Sequence, residues 1–318
     1  MKRLKVFLEV VEIKTKVASL FPFLIGLLFS VSYFKSVNWR NSVLFFTGMI
    51  IFDMATTAIN NTMDYKKAKS DLYRQTQNVI GRENVSESAV TNMIFAMLGI
   101  TLLIGLLLSW LTGWLMLIMG AIVCFIGIFY TFGPVPLSRM PLGEIFSGFT
   151  MGLGIFAITV YINTVNNPVF YLDIDFVRGI FYLSGKLYGI LAILIAAMPL
   201  VLTISNIMLA NNLRDLEMDI KNHRYTLVYF IGREHGILLF QSLMYAAYVF
   251  ILVGLLLGIF QWPILWIFVS FPKVRKNTTE FTKKVPLPSS FGYAIKNMAC
   301  FNLNYAIALV LSILWQMV

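Results

Sequence analysis

Charged residues are scarce in this chain of 318 residues, where Asp, Glu, Lys and Arg together make up only 13%. A soluble domain of this size needs a charged surface, which a chain with 58% hydrophobic residues cannot supply. Long apolar runs recur, and a backbone in lipid must satisfy its hydrogen bonds within helices or closed barrels. Because the runs are about 20 residues long and do not alternate, we predict an all-α polytopic membrane bundle around a central cavity.

Cysteine and histidine are also rare, with two of each. Cys124 and Cys300 lie far apart in apolar runs without metal-ligand spacing, and His223 and His235 are too few for a histidine-ligated metal. The formal net charge is +10. We predict no nucleic-acid partner, because anionic lipid and anionic substrates account for this charge.

Hydropathy and loop charge predict the topology. The nine candidate spans are 17–34, 41–60, 90–109, 113–132, 144–162, 187–208, 237–258, 259–271 and 298–317. With a cytoplasmic N-terminus, 21 of the 25 Lys and Arg residues fall on the cytoplasmic side. We therefore expect a multi-pass cell-membrane protein, with one domain over 1–318, an amphipathic surface helix over 1–16 and a basic cytoplasmic loop over 272–297.

Two apolar runs end in a similar pattern of amides and acids, "NNTMDYKKAKSD" from residue 60 and "NNLRDLEMD" from residue 211. Positions four and seven apart share a helix face, so each helix end presents a column of oxygen ligands. Neighbouring carboxylates repel one another unless a cation lies between them, and oxygen ligands favour Mg²⁺. The basic residues nearby suit a ligand with several negative charges, such as a diphosphate bridged by magnesium.

Each motif alone is ordinary for a helix end near lipid headgroups, but two matched motifs on the same predicted side favour a shared site. Asp53 lies inside the second span, where an acid is costly and usually faces a cavity or a partner. For Asp53, a structural hydrogen bond and a role in the site both fit.

The two motifs resemble the aspartate-rich motifs of the UbiA superfamily, the intramembrane aromatic prenyltransferases. "FYTFGPVPLSRMPLGE" at 129–144 resembles a loop of its menaquinone branch, the 1,4-dihydroxy-2-naphthoate polyprenyltransferases. The resemblance spans about residues 15–260. Much of the superfamily carries an aspartate where this chain has Ala68, and we expect Asp71, on the same helix face, to take that role.

The resemblance implies Mg²⁺-dependent transfer from a polyprenyl diphosphate to dihydroxynaphthoate in the membrane, with loss of carbon dioxide, giving demethylmenaquinone. The implied metal ligands and catalytic residues are Asp64, Asp71, Asp215 and Asp219. The implied substrate contacts are Asn60, Lys67, Arg74, Tyr130, Arg139, Asn211, Arg214 and Lys221. Tyr130 also fits an interfacial anchor, and Arg139 fits the positive charge expected on the cytoplasmic side.

Three other functions fit parts of the pattern. Another aromatic acceptor such as 4-hydroxybenzoate remains open, because no motif specifies the acceptor. A cation-coupled transporter would place its acids near the bilayer midplane, whereas the motif acids lie at the helix ends. A CDP-alcohol phosphotransferase, the third, would carry an Asp-Gly-x-x-Ala-Arg signature, which the sequence lacks.

Overall fold

The computed structural model describes residues 2–67, 75–76, 78–130, 132–133 and 136–317. The numbered helices are α1 (Lys2–Val10), α2 (Val17–Ser32), α3 (Trp39–Lys67), α4 (Val79–Arg82), α5 (Glu87–Thr112), α6 (Trp114–Phe129), α7 (Gly143–Ser147), α8 (Ile155–Asn163), α9 (Leu187–Lys221), α10 (Leu227–Leu256), α11 (Phe271–Lys284) and α12 (Phe291–Trp315). A π-helical segment, Gly148–Gly154, joins α7 to α8. Short 3₁₀ helices cover Ile13–Lys16, Leu137–Arg139, Trp262–Ser270 and Pro288–Ser290.

Eight of the nine predicted spans coincide with apolar helical stretches, and the span predicted at 259–271 coincides with the short 3₁₀ helix Trp262–Ser270. The predicted all-α membrane bundle is confirmed. Within the described residues, six helical stretches are long and apolar enough to cross a bilayer by themselves, and α2 and α6 are shorter apolar helices. Both motif helices continue well beyond their predicted spans: α3 reaches Lys67 and α9 reaches Lys221. The described motif acids, Asp64, Asp215 and Asp219, therefore lie near the carboxyl ends of these two helices.

The segment around residue 271 differs from the prediction. The 3₁₀ helix Trp262–Ser270 leads directly into α11, and a 3₁₀ helix and the start of α12 cover 288–297. The loop predicted over 272–297 is therefore wrong except at 285–287. In α11, residues Val274, Thr278 and Phe281 are buried at helical spacing, while the basic residues lie on the other face. The many lysines lower the average hydropathy and conceal this amphipathic pattern.

A β-hairpin between α8 and α9 is the second difference from the predicted fold. Strands β1 (Phe170–Asp175) and β2 (Ile180–Gly185) pair in antiparallel register, with Phe170 opposite Gly185. Aromatic and branched residues are frequent in both strands, which favours extended backbone. In the turn, the Asp175 carboxylate accepts hydrogen bonds from the backbone N–H groups of Val177 and Arg178, both at 3.0 Å.

Helix α9 lies at the centre of the largest core cluster, packed against α2, α8, α10 and α12. Tyr305 on α12 is fully buried and donates a hydrogen bond to the Ala196 carbonyl oxygen of α9 at 3.0 Å. The π-helical segment approaches α9 so closely that a Cβ on Gly152 would lie 2.7 Å from the Val201 backbone nitrogen. This close packing fixes the middle of the fifth predicted span against the second motif helix.

Candidate active site

A cavity of about 580 Å³ lies between α3, α5, α6 and the segment 146–158. Asn60 and Tyr130 line it near the motif end, and Phe45, Leu108 and Met116 line it near the opposite end. Fifteen residues of α3 separate Phe45 from Asn60, which corresponds to about 22 Å along the helix axis. The cavity can therefore hold an elongated apolar chain whose polar end lies beside the first motif.

The second motif forms a hydrogen-bonded group on α9. Arg214 donates to both carboxylate oxygens of Asp215, at 2.6 and 2.5 Å, and to the Asn211 side-chain oxygen at 2.7 Å. The Arg214 guanidinium also lies 4.8 Å from the centre of the Phe291 ring. The structure thus brings three of the predicted site residues together in one cluster.

Asp219 lies one helical turn beyond Asp215, is buried and lies next to a second arginine, Arg224. Its Oδ1 is 3.4 Å from Nε of Arg224, and its Oδ2 is buried with no hydrogen-bond partner among the described residues. Arg224 also donates to the Ser138 carbonyl oxygen at 3.4 Å, and the Tyr225 N–H donates to the Arg139 carbonyl oxygen at 3.2 Å. These bonds place the turn containing Arg139 against the second motif.

A buried chain of contacts connects the cavity to the second motif. The Tyr130 hydroxyl donates to the Gly143 carbonyl oxygen at 3.2 Å, and the Asn212 amide donates to the Glu144 carboxylate at 2.8 Å. Sequence reasoning did not select Glu144 or Asn212 as site residues. The sequence feature that could have identified them is the presence of an acid and an amide inside or beside apolar spans, where polar groups need partners.

The first motif is described in part. Asp64 is half-buried on α3, one turn beyond the cavity-lining Asn60. Asp71 and Arg74 lie outside the described residues, as does the side chain of Lys67. Lys221, in the last turn of α9, is exposed.

The proposed metal ligands form no complete cluster in the described part of the chain. Within these residues, no group of three or more His, Cys, Asp or Glu side chains could hold a metal ion. The four-aspartate set includes Asp71, so it stays a prediction. The chemistry of the described donors does fit Mg²⁺, because they are carboxylate and amide oxygens and Asp219 keeps one buried oxygen without a partner.

Asp53 lies in the cavity wall, paired with a lysine that sequence reasoning did not select. Lys16 donates to Asp53 Oδ1 at 2.7 Å, to the Asp53 carbonyl oxygen at 3.0 Å and to the Thr57 hydroxyl at 2.5 Å. The Ser19 hydroxyl donates to Asp53 Oδ2 at 2.5 Å. This pairing joins the 3₁₀ helix Ile13–Lys16 and the start of α2 to α3.

Comparisons with known proteins agree with this arrangement. The chain is 26% identical over 306 residues to the 1,4-dihydroxy-2-naphthoate octaprenyltransferase of Bacillus subtilis (strain 168), covering 94% of this chain and 89% of that protein.

Two solved structures share the fold. One is the apo structure of a UbiA homologue from Aeropyrum pernix K1, with a TM-score of 0.66, 14% identity and coverage of 96% of this chain and 98% of that one. The other is a UbiA homologue from Archaeoglobus fulgidus bound to DMAPP and Mg²⁺, with a TM-score of 0.62, 13% identity and the same coverage. The sequence profile of the UbiA prenyltransferase family matches residues 19–273. With most of its length matched, this multi-pass membrane chain belongs to the UbiA prenyltransferase family.

Proposed function

We propose that the protein transfers a polyprenyl group from polyprenyl diphosphate to 1,4-dihydroxy-2-naphthoate, with loss of carbon dioxide, giving demethylmenaquinone. The observation that carries this proposal is the position of the polar second motif beside a long apolar cavity, joined to it through Tyr130 and Glu144. The choice of acceptor rests on the similarity to the Bacillus subtilis enzyme.

The diphosphate end of the donor lies at the motif end of the cavity. Asp64, Asp71, Asp215 and Asp219 would hold Mg²⁺, supported by the amide oxygens of Asn60 and Asn211. When bound, Mg²⁺ neutralises charge on the diphosphate and so makes it a better leaving group.

Basic side chains complete the diphosphate site. Arg214 lies within the second motif. Arg224 contacts both Asp219 and the Ser138 carbonyl oxygen, and so holds the turn that contains Arg139 close to Asp219. Guanidinium groups bind phosphate oxygens in pairs of hydrogen bonds, so these arginines suit a leaving group whose negative charge increases. We expect Lys67, Arg74 and Lys221 to contribute from the helix ends.

The cavity protects the reactive allylic carbon. As the carbon–oxygen bond to diphosphate breaks, positive charge develops on the prenyl group, and water must be excluded. Phe52, Phe146 and Tyr130 line the cavity, and aromatic faces attract positive charge. The prenyl chain extends away from the motifs along α3, α5 and α6, towards Phe45 and Met116.

We also propose that the site opens at the cytoplasmic side of the cell membrane. The distribution of Lys and Arg residues among the loops supports this orientation.

A purified-protein assay tests the proposal. The protein is incubated with Mg²⁺, a labelled polyprenyl diphosphate and either dihydroxynaphthoate or 4-hydroxybenzoate. We expect a prenylated naphthoquinol and carbon dioxide, both lost with Asp64→Ala and Asp215→Ala. Prenylation of 4-hydroxybenzoate alone would contradict the naphthoate assignment, and no prenylation of either acceptor would contradict the proposed function.

A further inference from the structure

The cavity wall contains a charged pair that the diphosphate site does not use. Lys16 and Asp53 are the only charged side chains among the described residues that line the cavity. Lys16 is 7% exposed and Asp53 is 18% exposed, so the carboxylate is the more accessible member. Burying both charges in a membrane protein is costly, and apolar residues of similar size would hold the helices at least as well.

Hydrogen-bond capacity separates the two members of the pair. The Lys16 ammonium has three N–H donors, and three acceptors take them: two oxygens of Asp53 and the Thr57 hydroxyl. The Asp53 carboxylate accepts one bond at each oxygen, from Lys16 and Ser19, and a carboxylate has about four acceptor positions. The Asp53 carboxylate can therefore accept a further hydrogen bond from a ligand, whereas the Lys16 ammonium has no N–H left to donate to a ligand.

The position of Asp53 along the cavity suits a contact with the aromatic ring of the acceptor. It precedes Asn60 by seven residues, so the two share a helix face and Asp53 lies about 10 Å further into the cavity. The diphosphate lies at the Asn60 end in the proposed function. An aromatic ring that approaches the allylic carbon from inside the cavity comes within reach of Asp53.

Resting on the proposed function, we infer that Asp53 is a catalytic residue that takes and returns the proton of the acceptor hydroxyl next to the carboxylate, and that Lys16 is its positioning residue. As Asp53 removes this proton, the electron pair moves into the ring. The ring carbon that bears the carboxylate forms a bond to the allylic carbon. The carbon–oxygen bond to diphosphate breaks, and its electron pair leaves with the diphosphate.

The product of this step is a ketone beside the carbon that bears the carboxylate, an arrangement that loses carbon dioxide readily. When the carboxylate leaves as carbon dioxide, its bonding electrons form the enolate of the ring. The enolate oxygen takes back the proton held by Asp53. The sequence consumes no net proton and needs no oxidant.

The test compares two acceptors, 1,4-dihydroxy-2-naphthoate and its 1-O-methyl ether, which lacks the proton in question. We expect the wild type to use the ether at least about 100-fold more slowly, the usual contribution of a positioned base. Asp53→Asn should lower kcat for the dihydroxy acceptor about 100-fold, while the slow rate with the ether and the KM for prenyl diphosphate stay unchanged. Asp53→Glu should recover part of the loss, and Lys16→Met should lower the dihydroxy rate but not the ether rate.

The matched control is Asp173→Asn in the hairpin, which should change neither rate. An equal loss of both rates in Asp53→Asn would overturn the inference, because it would indicate a structural role. If Asp53→Asn fails to fold, the wild type alone still tests the inference. Turnover of the ether by the wild type at the same rate as turnover of the dihydroxy acceptor would overturn it. Failure of the proposed function is distinct, since the wild type would then prenylate no naphthoate.

Discussion

The buried bond between Asn212 and Glu144 gives a quantitative prediction. Asn212 is fully buried and Glu144 is 4% exposed, and the Asn212 amide donates to Glu144 Oε1 at 2.8 Å. Glu144 Oε2 is buried with no hydrogen-bond partner within the described part of the chain. Asn212→Leu preserves size but removes the side-chain amide that donates to Glu144 Oε1. An unsatisfied buried group costs about 1–3 kcal/mol, a roughly 5- to 150-fold change in the unfolding equilibrium.

The assay is a double-mutant cycle on the free energy of unfolding in detergent, with Asn212→Leu, Glu144→Leu and the double variant. We expect the double variant to be more stable than the sum of the single losses predicts, because it removes both polar groups. We also expect Asn212→Leu to raise the KM for prenyl diphosphate, since this bond joins the cavity to the second motif. The control is Asn304→Leu, because the Asn304 amide donates to the Cys300 carbonyl oxygen of its own helix and to no other group that the structure describes. Additive losses would refute the coupling.

Three further predictions concern packing, the cavity and topology. Gly152→Leu should lower the free energy of unfolding by about 1–3 kcal/mol or more, because its Cβ would meet the α9 backbone, whereas Gly99→Ala, with open space around it, should not. Gly105→Phe should fill the cavity near its far end and lower kcat/KM for a long polyprenyl diphosphate about tenfold or more. The kcat/KM for dimethylallyl diphosphate should not change, and equal losses for both donors would contradict this prediction. Val177→Cys, almost fully exposed at the hairpin tip, should react with an impermeant thiol reagent only from outside the cell, and Thr279→Cys on α11 only from inside.

Local patterns in the sequence predicted much of this arrangement. Runs of apolar residues located eight apolar helical stretches of the described chain, and the spacing of Asn211, Asp215 and Asp219 placed these residues near one helix end. These features depend on residues within one helix, where a period of 3.6 residues relates sequence to geometry. The hairpin has no comparable apolar run, and the lysines of α11 concealed its buried face.

Contacts between distant parts of the chain were not predictable in the same way. Lys16 is 37 residues from Asp53, and Glu144 is 68 residues from Asn212. Each polar residue inside or beside an apolar span indicates that it needs a partner, but no spacing rule identifies a partner on a different helix. Only the packing of the helices shows that Asp53 faces the cavity with its charge paired.

The most direct test of the account is the binding of an unreactive polyprenyl diphosphate analogue to the purified protein, measured by calorimetry as Mg²⁺ is titrated. We expect tight binding only with Mg²⁺, and a loss of affinity of about 100-fold or more in both Asp64→Asn and Asp215→Asn. Tight binding without a divalent cation, or binding that neither substitution weakens, would contradict a shared metal–diphosphate site formed by the two motifs.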